Sequence, residues 1–168
     1  NENEQRLKVG RVKGIALASA GIVLSDVRRE MRSQMDDQTY HDLCKEELTL
    51  RMVERSLLEE RELLRGDDAT HRAIGETLLE MAELSGELLK GETAKKYLRE
   101  AEKSFESGVN LPGDLGASLD GLGRVYLARA EDAPDTGKRK DTKVDLLRWA
   151  KDSFDGAIEA VEHSSGEL

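Results

Sequence analysis

His41-x-x-Cys44 sets an imidazole and a thiol one helical turn apart, with Asp37 a turn upstream. These are the beginnings of a metal site, but zinc and related ions take three or four ligands in fixed geometry, so the set is thin. A cysteine in such a position is equally a small buried hydrophobe. Asp68-x-x-His71 resembles half of a di-iron helix pattern, without the Glu-x-x-His pair that such chemistry needs. Gly121-x-Gly123 lacks the third glycine and the preceding strand of a dinucleotide loop, and no phosphate-loop lysine follows a glycine run. No nucleophile-elbow spacing marks a serine. Carboxylates are so numerous that pairing any two for acid–base work carries no information. The expectation is a non-catalytic chain with no metal and no cofactor.

Two charge patterns remain. Glu76, Glu80, Glu83 and Glu87 recur at three- and four-residue intervals, which places them on one helix face. Lys138-Arg139-Lys140, with Lys143, makes a local basic patch that reads as a solvated loop or as a contact for an acidic partner.

The 168 residues are enough for one domain. Folding at this size buries roughly 70% of the unfolded surface, so a core needs no disulfide or metal support. Aromatics are 4% and proline occurs twice, which speaks against a sandwich or barrel. Charged residues at 36% beside 38% hydrophobic suit helices with solvated outer faces. The net charge of -9 disfavours general nucleic-acid binding, because phosphate contacts need surplus Lys and Arg. The single cysteine excludes an intrachain disulfide. The apolar run from Gly14 to Leu24 follows Arg11 and Lys13 but is too short to span a bilayer, and Ser25-Asp26-Val27-Arg28-Arg29 continues it without a cleavage site. No membrane insertion is expected, and the cell interior, by default the cytoplasm, is the expected location. The chain opens on Asn1 rather than methionine, which admits processing, a removed targeting peptide or a longer parent.

Punctuation cuts the chain into six helical stretches. The first runs from about Gln5 to Ser33 and breaks near Asp36-Asp37; the second stops at Gly66-Asp67-Asp68, with Asp68 or Thr70 expected to cap the next. The third covers His71 to Leu89. Thr93 is the expected cap of the fourth, which ends near Gly108 before Asn110-Leu111-Pro112-Gly113. Asp114 to Ala130 forms the fifth and about Asp145 to Glu162 the sixth, separated by a polar loop at 131–143 and followed by a tail at 163–168 expected to fray.

The stretches repeat. Leu17-x-x-Ala20-Gly21, Leu78-x-x-Met81-Ala82 and Leu119-x-x-Leu122-Gly123 share a spacing, and each precedes a helix with small and bulky residues in series. Those series are Thr49, Val53, Ser56; Ala94, Leu98, Ala101; and Ala150, Phe154, Ala157. Small residues on one helix admit the bulky residues of an antiparallel partner. Leu119-x-x-Leu-Gly-x-x-Tyr126 followed by Ala150-x-x-x-Phe154-x-x-Ala157 resembles the tetratricopeptide-repeat signature. The segment from Glu54 to Asp68, running into Leu78–Leu84, is similar to the longer repeats of kinesin light chains. The middle unit, Ala82 to Ala101, has that family's spacing; the outer two, Gly21 to Ser56 and Gly123 to Ala157, are longer.

The resemblance implies an all-α fold, three antiparallel helix pairs stacked as a short right-handed solenoid, with units at about 5–65, 69–108 and 114–162. It also implies a concave groove lined by the first helix of each pair. Carried onto this chain, the groove residues are Ile22 and Asp26, then Glu76, Leu79, Glu80, Glu83 and Glu87, then Asp120 and Arg124, with Ile15, Ala18, Ser25, Ala117 and Leu127 beside them. Such a groove would be acidic and would favour a basic or amphipathic peptide or helix. The Lys and Asn of a carboxylate clamp are missing from these positions. Two alternatives stay open: a structural subunit of a larger assembly, docking through its convex face and long first helix pair, and a helical metal-binding protein or enzyme. Oligomeric state is left undetermined.

Overall fold

Five of the six helix starts are set by a short polar side chain that takes an otherwise unpaired amide. In a computed structural model, which describes residues 1–133 and 141–166, six α-helices follow one another and no strand occurs among the described residues. They are α1 (Glu2–Glu30), α2 (Asp37–Leu64), α3 (Asp68–Glu87), α4 (Gly91–Val109), α5 (Leu115–Glu131) and α6 (Lys143–Gly166), with a 3-10 turn at Arg32–Gln34. Asn1 caps α1 in a reciprocal box with Glu4, and Asp36 accepts the Thr39 amide at 2.7 Å to start α2. The cap of α3 is Asp67, which takes the Thr70 amide at 2.8 Å and its hydroxyl at 2.6 Å. The expected caps Asp68 and Thr70 both lie inside the helix, and so does Thr93, because α4 already starts at Gly91. Asp114 caps α5 through the Ala117 amide at 3.0 Å, and Thr142 caps α6 through the Asp145 amide. α6 runs on to Gly166, past the point where fraying was expected. The basic cluster at 138–140 lies outside the described residues.

The helices pack in neighbouring pairs, and the chain divides into two compact units. Unit 1 comprises 1–66 and 77–97; unit 2 comprises 67–76 and 98–168, so α3 and α4 each contribute to both.

Unit 2 shows the small-for-large packing that the repeat pattern predicts. A Cβ on Gly123 would come within 2.5 Å of the Phe154 ring, so only a hydrogen there lets α6 seat its phenyl against α5. Phe105 of α4 is fully buried and lies against Gly75 of α3 and Gly121 of α5, where added methyls would overlap the ring. Leu122, Val125, Ala130, Leu146 and Ala150 complete this core.

Unit 1 departs from the expectation. Val53 is half exposed, and Thr49 and Ser56 face solvent. The inward stripe of α2 is instead Cys44, Glu47, Arg51, Glu54 and Leu58. The matching stripe of α1 is Gly21, Ser25 and Arg28. Both side chains on the α1 stripe and three of the five on α2 are polar, so apolar periodicity points to the wrong face.

Candidate functional site

In unit 1, the residues that the resemblance places in a groove sit on α1 and α3. Ile22 and Asp26 are exposed on α1; Leu79 and Glu80 are half-buried on α3, with Glu83 and Glu87 exposed. An arginine that the sequence pattern did not single out joins the two helices. Arg29 donates to both Glu83 oxygens, at 3.1 and 2.9 Å, and lies 3.6 Å from Glu80. Burial, then the neighbouring Glu83 charge, pushes the Glu80 carboxyl above the usual range, with Arg29 and Arg51 opposing. Around this face Asp26, Glu80, Glu83 and Glu87 outnumber the one exposed arginine.

In unit 2, Glu76 of α3 and Asp120 and Arg124 of α5 form a closed set. Arg124 donates to Asp120 at 3.0 Å and grips Glu76 with two nitrogens, one at 2.9 Å. The Glu76 hydrogen bond raises the Arg124 pKa, and burial opposes it. Two carboxylates here share one guanidinium, so this face is far less acidic than that of unit 1.

The pattern reading also missed a string of charges buried between α1, α2 and α3 in unit 1. Glu47 is fully buried and Arg28 is 2% exposed. Ser25 donates its hydroxyl to one Glu47 oxygen, and Arg28 Nε donates to the other at 2.9 Å. Arg28 Nη1 reaches the Tyr40 hydroxyl at 3.1 Å. Burial disfavours the Arg28 cation, but the Tyr40 and Glu47 contacts outweigh it and its pKa ends above the ordinary value. Arg51, 3.9 Å from Glu47, donates to Glu54 at 3.0 Å, and Glu54 accepts the Thr77 hydroxyl at 3.2 Å. Gly21 makes room for this: a Cβ there would lie 2.5 Å from Arg51 Cζ. Charges placed so deep must be paired and hydrogen-bonded. Their spacing, Glu47–Arg51–Glu54 on one turn-by-turn line with Gly21–Ser25–Arg28 opposite, was the available signal.

Cys44 lies in an apolar cluster with Leu84 and Leu88, flanked by Tyr40 and Leu48. Burial pushes its thiol pKa up, the opposite of an activated nucleophile or a metal-ready thiolate. Of the two remaining motifs, Asp68 is bound to Arg72 and to the Asp114 amide at 2.9 Å, and Gly121 and Gly123 are packing positions. Both have structural occupations.

No helix among the described residues is long and apolar enough to cross a membrane. Comparison with family models, with curated proteins and with solved structures returned no match.

Proposed function

We propose that this chain is a non-catalytic protein–protein interaction module working inside the cell. In this reading its helix pairs stack as a short right-handed tetratricopeptide-like solenoid, and the first helices bind a basic or amphipathic segment of a partner. The observation that carries the reading is the α1–α3 face of unit 1. There Arg29 ties two first helices side by side, while Asp26, Glu80 and Glu87 leave carboxylates in excess beside the apolar side chains of Ile22 and Leu79. Apolar surface rimmed by one sign of charge selects an amphipathic helix of the opposite sign. In this reading Glu76, Asp120 and Arg124 of unit 2 are the corresponding first-helix positions, and there two carboxylates share one guanidinium.

The test is a peptide-display selection on the wild type and on an Asp26→Asn, Glu80→Gln, Glu87→Gln variant. Glu83 and Glu76 are left alone because they hold Arg29 and Arg124. Enrichment of basic amphipathic peptides by the wild type, weakened about tenfold or more in the variant, supports the reading. No enrichment, or the same peptides from both proteins, overturns it.

A second reading, a subunit of a larger assembly, is favoured by a different observation: the outer face of α1 carries exposed Val9, Val12, Val23 and Val27.

A further inference from the structure

α1 has two apolar faces, and only one is used. Leu7, Gly10, Gly14, Leu17, Gly21, Leu24, Ser25 and Arg28 recur every three or four residues, each half-buried or buried, as the side toward α2 requires. Opposite them lies a second line: Val12, Ala16, Ser19, Val23 and Val27, all exposed, with Val12 at 62% and Val23 at 60%; Val9, also exposed, extends it at the edge of a cleft shared with Leu57 and Glu60 of α2. Steps of three and four residues keep such a line straight along a partner helix, the seam of a two-helix coiled coil. Ile15 and Ile22, also exposed, flank it on one side.

The charges beside this line are separated by sign. From Gln5 to Ser25, α1 carries Arg6, Lys8, Arg11 and Lys13 and no carboxylate; Asp26 and Glu30 follow. Lys8, Arg11, Asp26 and Glu30 take no ion pair among the described residues. Glu2, Glu4, Arg28 and Arg29 are paired within the chain, so the free charges of α1 are basic toward its start and acidic toward its end, which makes the helix complementary to itself when laid antiparallel. A two-fold axis near Ser19 and Ala20 sets Val12 against Val27 of the second copy and Ala16 against its Val23. On the Ile15–Ile22 flank it brings Lys8 to Glu30 and Arg11 to Asp26 of the second copy, twice over by symmetry. The small side chains Ala16, Ser19 and Ala20 fall at the crossing, where backbones must come closest. An anionic membrane surface would suit the basic half alone; it would meet Asp26 and Glu30 with repulsion, in a chain whose net charge is -9.

We infer that the open face of α1 is the seat of a second copy of this chain, joined as an antiparallel helix pair about a two-fold axis. The interface shares Ile22 and Asp26 with the acidic α1–α3 face, but it rests on the line Val12–Val27 and the free charges of α1, and it stands if that reading fails. It runs about 32 Å along the helix at 1.5 Å per residue, short for a permanent dimer, so dissociation is expected within the concentration range that sedimentation follows.

Two charge variants test it on the full chain. With Glu4 and Arg29 already paired within the chain, Lys8→Glu with Arg11→Glu leaves the free charges of this flank all acidic, and Asp26→Lys with Glu30→Lys leaves them all basic. By sedimentation equilibrium the wild type is expected to dimerise, and each variant alone to dissociate about tenfold or more readily. An equimolar mixture of the two is expected to recover a dimer containing one of each, which also shows that both are folded. Orientation is read with Ser19→Cys and Val9→Cys, each in a Cys44→Ser background. Oxidation should link Ser19→Cys chains and leave Val9→Cys chains unlinked, because bridged Cα atoms must lie within about 7 Å. A wild type monomeric at every concentration, alone or bound to phosphatidylserine vesicles, overturns the inference. So does a dimer indifferent to both charge variants, or one linked through Val9→Cys.

Discussion

Leu89 closes α3 with a φ of 59°, in the left-handed region where a side chain crowds its own backbone. The geometry is that of a helix-ending turn: the Lys90 amide reaches Ser85 O at 2.8 Å and the Leu89 amide reaches Gly86 O at 3.0 Å. The side chain is 94% exposed, so nothing is lost by removing it. Leu89→Gly is therefore expected to stabilise the protein by about 1 kcal/mol, read from a denaturant midpoint. An unchanged or lower midpoint would mean that the turn is not strained. Asp68 offers a prediction in pH. The Arg72 guanidinium, then the Asp114 amide, hold its carboxyl below the usual range. A carboxyl with a lowered folded-state pKa binds fewer protons folded than unfolded. Its stabilisation is thus present above about pH 4 and lost as pH falls through the folded value. Asp68→Asn should lower stability at neutral pH and flatten its fall below about pH 4. A variant whose acid limb matches the wild type's would show the Arg72 contact to be energetically empty.

The helices and their order are legible in the sequence because glycine, proline and capping residues interrupt a helical period. What the pattern could not place is the rotation of α2, and the reason is physical. Its inward line reads Cys44, Glu47, Arg51, Glu54, Leu58, and three charges on a core stripe look like a solvent face. Val53, apolar and on the wrong side, looks like core and is half exposed. Unit 2, whose inner faces are apolar and glycine-lined, is legible to the level of individual contacts, Gly123 against Phe154 among them. The glutamates of α3 and Arg124 of α5 are visible in the sequence as spacings; Arg29, which ties α1 to α3 within unit 1, needed the neighbouring helix to be seen. The buried string predicts its own sensitivity. Glu47→Ala would leave Arg28 and Ser25 without their acceptor inside the unit, and is expected to cost about 3–5 kcal/mol. A loss under about 1 kcal/mol by chemical denaturation would show that water reaches Arg28 after all.

At the scale of the molecule, the division into two units has a practical corollary. The chain has one cysteine and one tryptophan, and they fall on opposite sides of that division: Cys44 in unit 1, fully buried, and Trp149 in unit 2, edge-on to Tyr126 at 5.8 Å. The wild-type protein thus carries two native reporters, each blind to the other's half. A disulfide exchange reagent can modify Cys44 only when its surroundings open, so the labelling rate measures the opening free energy of unit 1. Indole fluorescence follows unit 2. Since α3 and α4 pass unbroken from one unit into the other, both probes are expected to give the same unfolding free energy across a urea series. If Cys44 is modified while the Trp149 signal is still native, the two halves melt as separate thermodynamic bodies, and a mutation in one need not be felt in the other.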